Sequence, residues 1–356
     1  MPPLLSFLFN RLMAFVITVL VITAVLYGFV MLTPPETRAT LYMPNTRRAM
    51  TDEQYQHLID LIIQKYHLRD PFPVQYAIWV NNLLHGNWGY SPALKENVLP
   101  VMLRRSPVTA ELTIYSLLVF IPIGLATGMI AGSKKNRGAD TRFRVSAFIA
   151  TSIPPFILAI MLLSVFYVAV GWFPPERLGL QTGQFVKSAA FHTYTGLMTV
   201  DGLLNGRVDI SLDALRHLVL PVLTLSLVHW ATLGRVTRAT AIEEFQKDYI
   251  LAGKARGVSN HSLVWGHAFR NTLAPSLASS ALSAAALFTG VFVVEVIYNF
   301  KGISEIAVNS INQTPDAPAV LGFAIYSILL VLVIMFLLDI VQALVDPRIR
   351  EGFITK

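Results

Sequence analysis

Glu111 and Glu295 are the residues whose placement most invites a chemical reading. Each sits at one end of a long uncharged run, and a carboxylate inside a membrane is by default a candidate for substrate binding, coupling or gating. Both also lie within about one helical turn of a polar boundary, where an interface or structural role competes. His217 and His229 are twelve residues apart on one predicted helix, and His261 and His267 are six apart. Neither interval suits two imidazoles on one metal, so packing or hydrogen bonding is the expected role. Asp339 and Asp346 stand beyond the last apolar run, where pairing with loop bases has modest value. Cysteine is absent, which removes disulfides, thiolate chemistry and cysteine-based metal sites. There is no GxxxxGK[ST] phosphate loop, no HExxH and no nucleophile elbow. The sequence therefore predicts no catalytic residue, no metal site and no cofactor bound by this chain itself.

What must position these groups is a set of apolar helices. The 356 residues are 54% apolar and 14% charged, whereas an average soluble domain carries about 25% charged residues. Uncharged runs occupy residues 12–33, 112–133, 145–175, 217–234, 271–294 and 317–338, each at or near the roughly 20 residues that cross a bilayer. The first follows Arg11, is too long for a signal-peptide core and meets Pro34-Pro35 directly, so it is expected to be retained. The third exceeds one span, and Ile153-Pro154-Pro155 is expected to kink or break it near its start. The fold class is an all-α integral membrane protein with six transmembrane helices and both termini on one side.

The net charge is +7, and its bases fall in short loops. Lys134, Lys135, Arg137, Arg142 and Arg144 crowd between runs two and three. Arg235, Arg238, Lys247, Lys254, Arg256 and Arg270 lie between runs four and five, while residues 295–316 carry only Lys301. This distribution fits membrane lipid headgroups and not nucleic acid. By the positive-inside rule the termini and residues 243–275 are cytoplasmic. Residues 34–106 hold eight bases against six acids, but that loop is too long for the rule to count.

Three polar stretches interrupt the spans. Residues 34–106 form an external helical segment: Thr51 and Gln54 make a capping box, and Tyr55, Leu58, Ile59, Ile62, Ile63 and Tyr66 share one helical face. Asp70-Pro71-Phe72-Pro73 ends that helix, and a second runs from Val74 towards Gly86, with Trp79 and Trp88 as anchors. Residues 171–216, with turn signals at Pro174-Pro175 and Asn205-Gly206, make a further external segment of open role. Residues 243–275 are the longest polar stretch with helix-forming character wedged between two spans. One helix is expected from Glu243 to Arg256, with acids early and bases late, closed by Gly257. A second is expected to start from Ser259 or Asn260 and lead through Leu263, Val264 and Trp265 into the next span. Two short helices joined at a glycine read as a docking surface or as an ordinary interfacial loop.

The words Asp248-Tyr249-Ile250 through Gly257, then His267-Ala268-Phe269-Arg270-Asn271-Thr272-Leu273-Ala274-Pro275, resemble the cytoplasmic loop of permease subunits in binding-protein-dependent ABC importers, most of all the dipeptide/oligopeptide/nickel branch. Arg11-Leu12 before the first run, Gln75-Tyr76, Gly86-Asn87-Trp88-Gly89-Tyr90-Ser91, Gly290-Val291-Phe292-Val293-Val294-Glu295 and Asp346-Pro347-Arg348-Ile349-Arg350 fall where that branch has similar words, so the resemblance covers nearly the whole chain. It departs at the family's Glu-Ala-Ala positions, which fall on Leu251, Ala252 and Gly253; only Ala252 fits.

The resemblance implies a type I importer permease fold divided as residues 1–33 with the first helix, 34–106, a core of 107–345 and a cytoplasmic tail of 346–356. It implies a second homologous permease, two ABC ATPase subunits that bind ATP and Mg, an external solute-binding protein, and a bacterial or archaeal inner membrane. Carried over, Glu243, Glu244, Asp248, Tyr249, Ala252, Gly253, Ala255 and Gly257 are the coupling residues. Phe156, Phe166, Phe288, Phe292 and Glu295 are candidates for the path or its gate, against a packing role for the aromatics. Peptides are the expected cargo, with oligosaccharides or nickel as alternatives. A gradient-driven carrier and a membrane scaffold are the rival classes; matched interrupted spans, expected of such a carrier, are not evident.

Overall fold

In a bilayer every backbone N–H and C=O must find a partner inside the segment, so long apolar sequence becomes helix. The computed structural model describes residues 3–40, 42, 51–312 and 316–345. Helix α1 (Pro3–Met31) is followed by α2 (Pro35–Thr40), α3 (Asp52–Lys65) and α4 (Phe72–Leu84). A two-residue hairpin then pairs β1 (Tyr90–Ser91) with β2 (Glu96–Asn97). Next come α5 (Val98–Ser133), α6 (Gly138–Ser152) and α7 (Pro155–Leu162), the last continuing through a π-helical turn, Leu163–Ala169. Short α8 (Leu180–Val186) and α9 (Met198–Leu204) precede the long α10 (Val208–Glu244) and the short α11 (Asp248–Ala255). Then α12 (Asn260–Ser262) passes through a second π-helical turn, Leu263–Ala268, into α13 (Phe269–Ile297), and α14 (Ser304–Asn312) and α15 (Ala317–Val345) complete the order.

Among the described residues five helices are long and apolar enough to cross a membrane: Ser6–Met31, Val98–Ser133, Val208–Glu244, Asn260–Ile297 and Ala317–Ala343. The sixth expected span is a broken one, α6 and the α7 segment meeting at 98°. The break falls where the sequence places it. Ile153 is driven to extended backbone (ψ 117°) by the proline that follows it, and Pro155 opens the next helix at a position that needs no N–H donor.

The spans run longer than their uncharged cores, and this relocates two charges. Arg11 lies inside α1 and Asp339 inside α15, where the sequence reading put each just outside. Arg11 Nε meets Asp339 Oδ2 at 3.2 Å, and mutual neutralisation is what lets an apolar helix carry either group.

The chain divides into two compact units, residues 1–11, 104–305 and 330–356 in one and residues 12–103 and 306–329 in the other. In the second, Ile59, Ile62 and Ile63 of α3 bury against Ala39 and Leu68, as their spacing requires. The Thr51–Gln54 capping box is formed, and Tyr66 turns outward to stack on Tyr42 at 4.2 Å. Trp79 packs on Tyr27 and Trp88 on Tyr326. Asp316 accepts from Ser91 Oγ and, at 3.0 Å each, from the N–H groups of Ala93 and Ala319. The first unit is built on α10, which lies against α13, α9 and α6. Its core joins Leu112 and Phe120 of α5, Leu218, Leu225 and Leu233 of α10, and Leu287, Val291 and Val294 of α13. The words at Asp346 to Arg350 and the expected tail of residues 346–356 lie outside the described residues.

Candidate functional site

The expected helix from Glu243 to Arg256 is two pieces. Glu243 and Glu244 complete α10, after which the chain tightens through i→i+3 bonds (Gln246 N–H to Glu243 O, Lys247 N–H to Glu244 O). Lys247 is then extended (ψ 150°), and α11 starts at Asp248. The cause is local. The Glu244 side chain, 5% exposed, accepts from Lys247 Nζ, from the Tyr249 hydroxyl at 2.7 Å and from Asn271 Nδ2 at 3.2 Å. A continuous helix would keep Lys247, three residues on, beside Glu244, but would carry Tyr249, five residues on, round the axis and away from the carboxylate. Asn271 Nδ2 also reaches the Tyr249 hydroxyl at 3.2 Å, so one carboxylate ties the end of α10, the start of α11 and the start of α13. Burial, and after it the Glu244 carboxylate, push the Tyr249 phenol above its ordinary value of 10.0. The phenol is therefore a donor at neutral pH.

Helix α11 ends as its sequence demands. Gly257 sits at φ +77°, the left-handed region that side chains with a Cβ avoid. Its N–H bonds to Lys254 O and the Val258 N–H to Gly253 O, at 3.0 Å each, the paired bonds of a Schellman cap. Ser259 then caps α12, its hydroxyl accepting from the Ser262 N–H. Gly253 is where the two halves of the loop touch: a Cβ there would lie 2.7 Å from Leu263 Cδ2. Ile250, Leu263, Val264 and Ala268 form a small core with Met129 of α5 and Ala241 of α10. Of α11, Ile250 is the buried residue; Leu251 is 57% exposed, and Asp248, Tyr249, Ala252, Ala255 and Glu243 are also open. The loop is thus a fixed platform with an apolar and polar outer face.

Comparison with known proteins decides what such a platform belongs to. The family described as "Binding-protein-dependent transport system inner membrane component" matches residues 124–351, more than half of the chain. The chain belongs to that family. It is a multi-pass inner-membrane permease subunit of an ABC-type import system. It is 30% identical over 348 residues to the di/tripeptide transport system permease protein of Pseudomonas aeruginosa (strain UCBPP-PA14), covering 98% of this chain and 99% of that one. To the dipeptide transport system permease protein of Bacillus subtilis (strain 168) it is 28% identical, covering 97% of each.

In this permease the two carboxylates near the spans are engaged by protein. Glu111, 1% exposed, accepts from Arg177 Nη2 at 2.6 Å and Nε at 3.0 Å, and from the N–H and hydroxyl of Thr199 at 2.8 and 2.7 Å. Arg177 also bonds Gly196 O. Residues 171–216 are so tied to α5. Glu295, equally buried, accepts from Thr109 Oγ1 and from the Ser304 N–H at 3.0 Å, and so fixes the start of α14. His217 Nδ1 lies 3.0 Å from Glu176 O and 3.1 Å from Pro175 O, and His229 packs on Phe120; both histidines take the packing or hydrogen-bonding role expected of them. Among the described residues no group of three or more His, Asp or Glu is placed to hold a metal ion.

The four aromatics are placed individually. Phe156 is exposed at the start of α7. Phe166 is half-buried in the π-helical turn beside Trp172 and Phe173. Phe288 and Phe292 are half-buried on α13. Sequence reasoning missed Asn271, Lys247, Arg177 and Thr199 as partners of the acids. Asn271 stood inside a quoted motif, whereas the pairing of Arg177 with Glu111 spans 66 residues and carries no periodic signal.

Proposed function

We propose that this permease pairs with a second homologous permease to form a path for di- or oligopeptides, driven by two ATPase subunits that receive α11 and its flanking turns. The observation that carries this reading is the α11 platform: a helix with a single buried residue, closed by a Schellman cap and backed by a packed core, with Leu251, Ala252 and Ala255 exposed. Such a helix transmits force without unfolding, because its inner side is fixed and its outer side is free to seat in a cleft. Glu243, Glu244, Asp248, Tyr249, Ala252, Gly253, Ala255 and Gly257 are the coupling set. Within it, Glu244, Tyr249, Gly253 and Gly257 hold the shape, and Asp248, Ala252 and Ala255 face the partner.

The peptide cargo is supported by the two relatives, a di/tripeptide and a dipeptide transport system permease protein. The basic turns support a cytoplasmic side for both termini and α11, with residues 34–106 on the side where an external solute-binding protein delivers cargo. ATP-driven closure of the ATPases then biases a two-state tilt of the spans. Phe156, Phe166, Phe288 and Phe292 are the aromatics proposed along the path. Glu295, with its carboxylate held between Thr109 and Ser304, shapes the path's end by fixing α14 and does not bind cargo itself.

The test is affinity purification of the tagged full chain from its membrane, followed by uptake of labelled dipeptide into vesicles holding the recovered assembly. Two ATPases and a second permease should co-purify, and uptake should require ATP. Uptake that survives without ATP and collapses with the ion gradient would replace this reading by a gradient-driven carrier.

A further inference from the structure

The stretch that joins α5 to α6 and opens α6 carries Lys134, Lys135, Arg137, Arg142 and Arg144, all exposed. Asp140 is the one carboxylate in residues 134–152, and it is spent. It is fully buried, and it accepts from Arg238 Nη2 and from the Asn136 N–H at 2.9 Å each. No exposed acid remains in this stretch to balance the five bases. Beside it, α5, α6 and α10 leave a groove of about 690 Å³, walled by Ile130, Val145, Ile149 and Trp230, with Thr141 and Arg142 at its polar end. The polar groups of the wall are already engaged, the Trp230 indole N–H by Thr127 Oγ1 at 2.9 Å and the Ser146 hydroxyl by Arg142 O at 2.9 Å.

We propose that this groove holds one anionic phospholipid of the surrounding bilayer, an acyl chain along Ile130, Val145 and Ile149 and the phosphodiester at Arg142. The charge pattern selects this occupant. A groove on the surface of a span is bathed in hydrocarbon whether or not a particular lipid is chosen, and an acyl chain gains little there over bulk lipid. Selection must then come from the headgroup, and basic pockets between helix ends favour anionic ones. Seated there, the lipid would brace α6 against α5 and α10, immediately before the 98° break that leads into α7.

The test uses the full transporter assembly purified from its membrane and placed in phosphatidylcholine vesicles doped with phosphatidylglycerol. Lipid retained after detergent extraction is identified by native mass spectrometry. The wild type should retain phosphatidylglycerol in preference to phosphatidylcholine. Arg142→Gln should lower that preference about fivefold, the effect expected of one basic residue at a membrane surface, and Ile149→Trp should lower retention by filling the slot. Equal retention of the two lipids, or retention indifferent to Arg142→Gln, would overturn the proposal. A photo-crosslinker at the wall (Ile149→p-benzoylphenylalanine) in the otherwise native chain gives an independent reading. Adducts to phospholipid support the site, and adducts to the second permease assign the groove to a protein contact instead.

Discussion

Helix α13 connects two kinds of carboxylate site that differ in what they leave free. At its C-terminal end Glu295 is enclosed, with Thr109 and the Ser304 N–H as partners, and nearby on α5 Glu111 is enclosed by Arg177 and Thr199. Near its N-terminal end, about 35 Å away at 1.5 Å per residue, Asn271 meets Glu244 in a cluster that stops α10 and starts an exposed helix. The enclosed acids are ends in themselves: each fastens a loop to a span and presents nothing. Glu244 instead fixes a backbone so that its neighbours can be presented. Burial alone does not separate the two cases, since all three acids are 5% exposed or less. What separates them is whether the element they hold has a free face.

The most severe way to break this comparison is to remove an enclosed acid. Glu111→Ala leaves Arg177, mostly buried, without its counter-ion, and truncating one member of a buried pair costs about 3–5 kcal/mol. Thermal unfolding of the purified chain in detergent should shift strongly downward, and Glu111→Leu with Arg177→Met should recover most of the loss. An unchanged midpoint for Glu111→Ala would mean that the ion pair holds nothing.

The loop responds differently, because there shape and not net stability is at stake. Gly257→Val forces a β-branched residue to φ +77°, a strain of order 1–3 kcal/mol, and nothing crowds the position itself. Membrane insertion should survive while ATP hydrolysis becomes uncoupled from transport, whereas Gly257→Asn, which tolerates this conformation, should transport normally. If the valine variant transports at the wild-type level with its partners present, α11 is not the lever proposed here. Gly253→Ala is a smaller version of the same question. Its new methyl would sit 2.7 Å from Leu263 Cδ2, an overpacking of about 1–3 kcal/mol that Leu263→Ala in the same chain should partly relieve. Two independent losses without relief would mean the two helices are not packed through this contact.

These contrasts mark how far the sequence could be read. The helix ends signalled by short-range chemistry were legible: the Thr51–Gln54 box, the Ser259 cap, Gly257, and the break at Pro154-Pro155. So were the apolar runs, because period and length are local properties. The stop after Glu244 was not, since Phe245, Gln246 and Lys247 are acceptable in a helix and the reason they leave it is a hydrogen bond to Asn271, 27 residues on. For the same reason Glu111 and Glu295 could be named as unusual but not assigned. Apart from the Ser304 N–H, nine residues from Glu295, their partners lie 66 to 186 residues away, and position in sequence says only that a charge must be answered, not by whom. Arg11 and Asp339 were set outside their spans on the rule that charge ends a span, and the rule fails when two charges answer each other.

The finest test concerns Tyr249, whose hydroxyl links Glu244 to Asn271 without bearing a charge. Tyr249→Phe removes one donor to a carboxylate and should cost about 1–2 kcal/mol, visible as a small drop in unfolding midpoint and a partial loss of coupling. The pH dependence gives it a signature that mere packing would lack. Because the folded phenol titrates above its ordinary value of 10.0, its contribution is fully present at neutral pH and below that value, and disappears only as pH rises through the raised one. Across neutral and mildly alkaline pH the gap between wild type and Tyr249→Phe should therefore stay constant, and it should close in strong alkali. A gap that closes already near neutral pH would mean that the bond to Glu244 is not what the hydroxyl supplies, and that the end of α10 is set by packing alone.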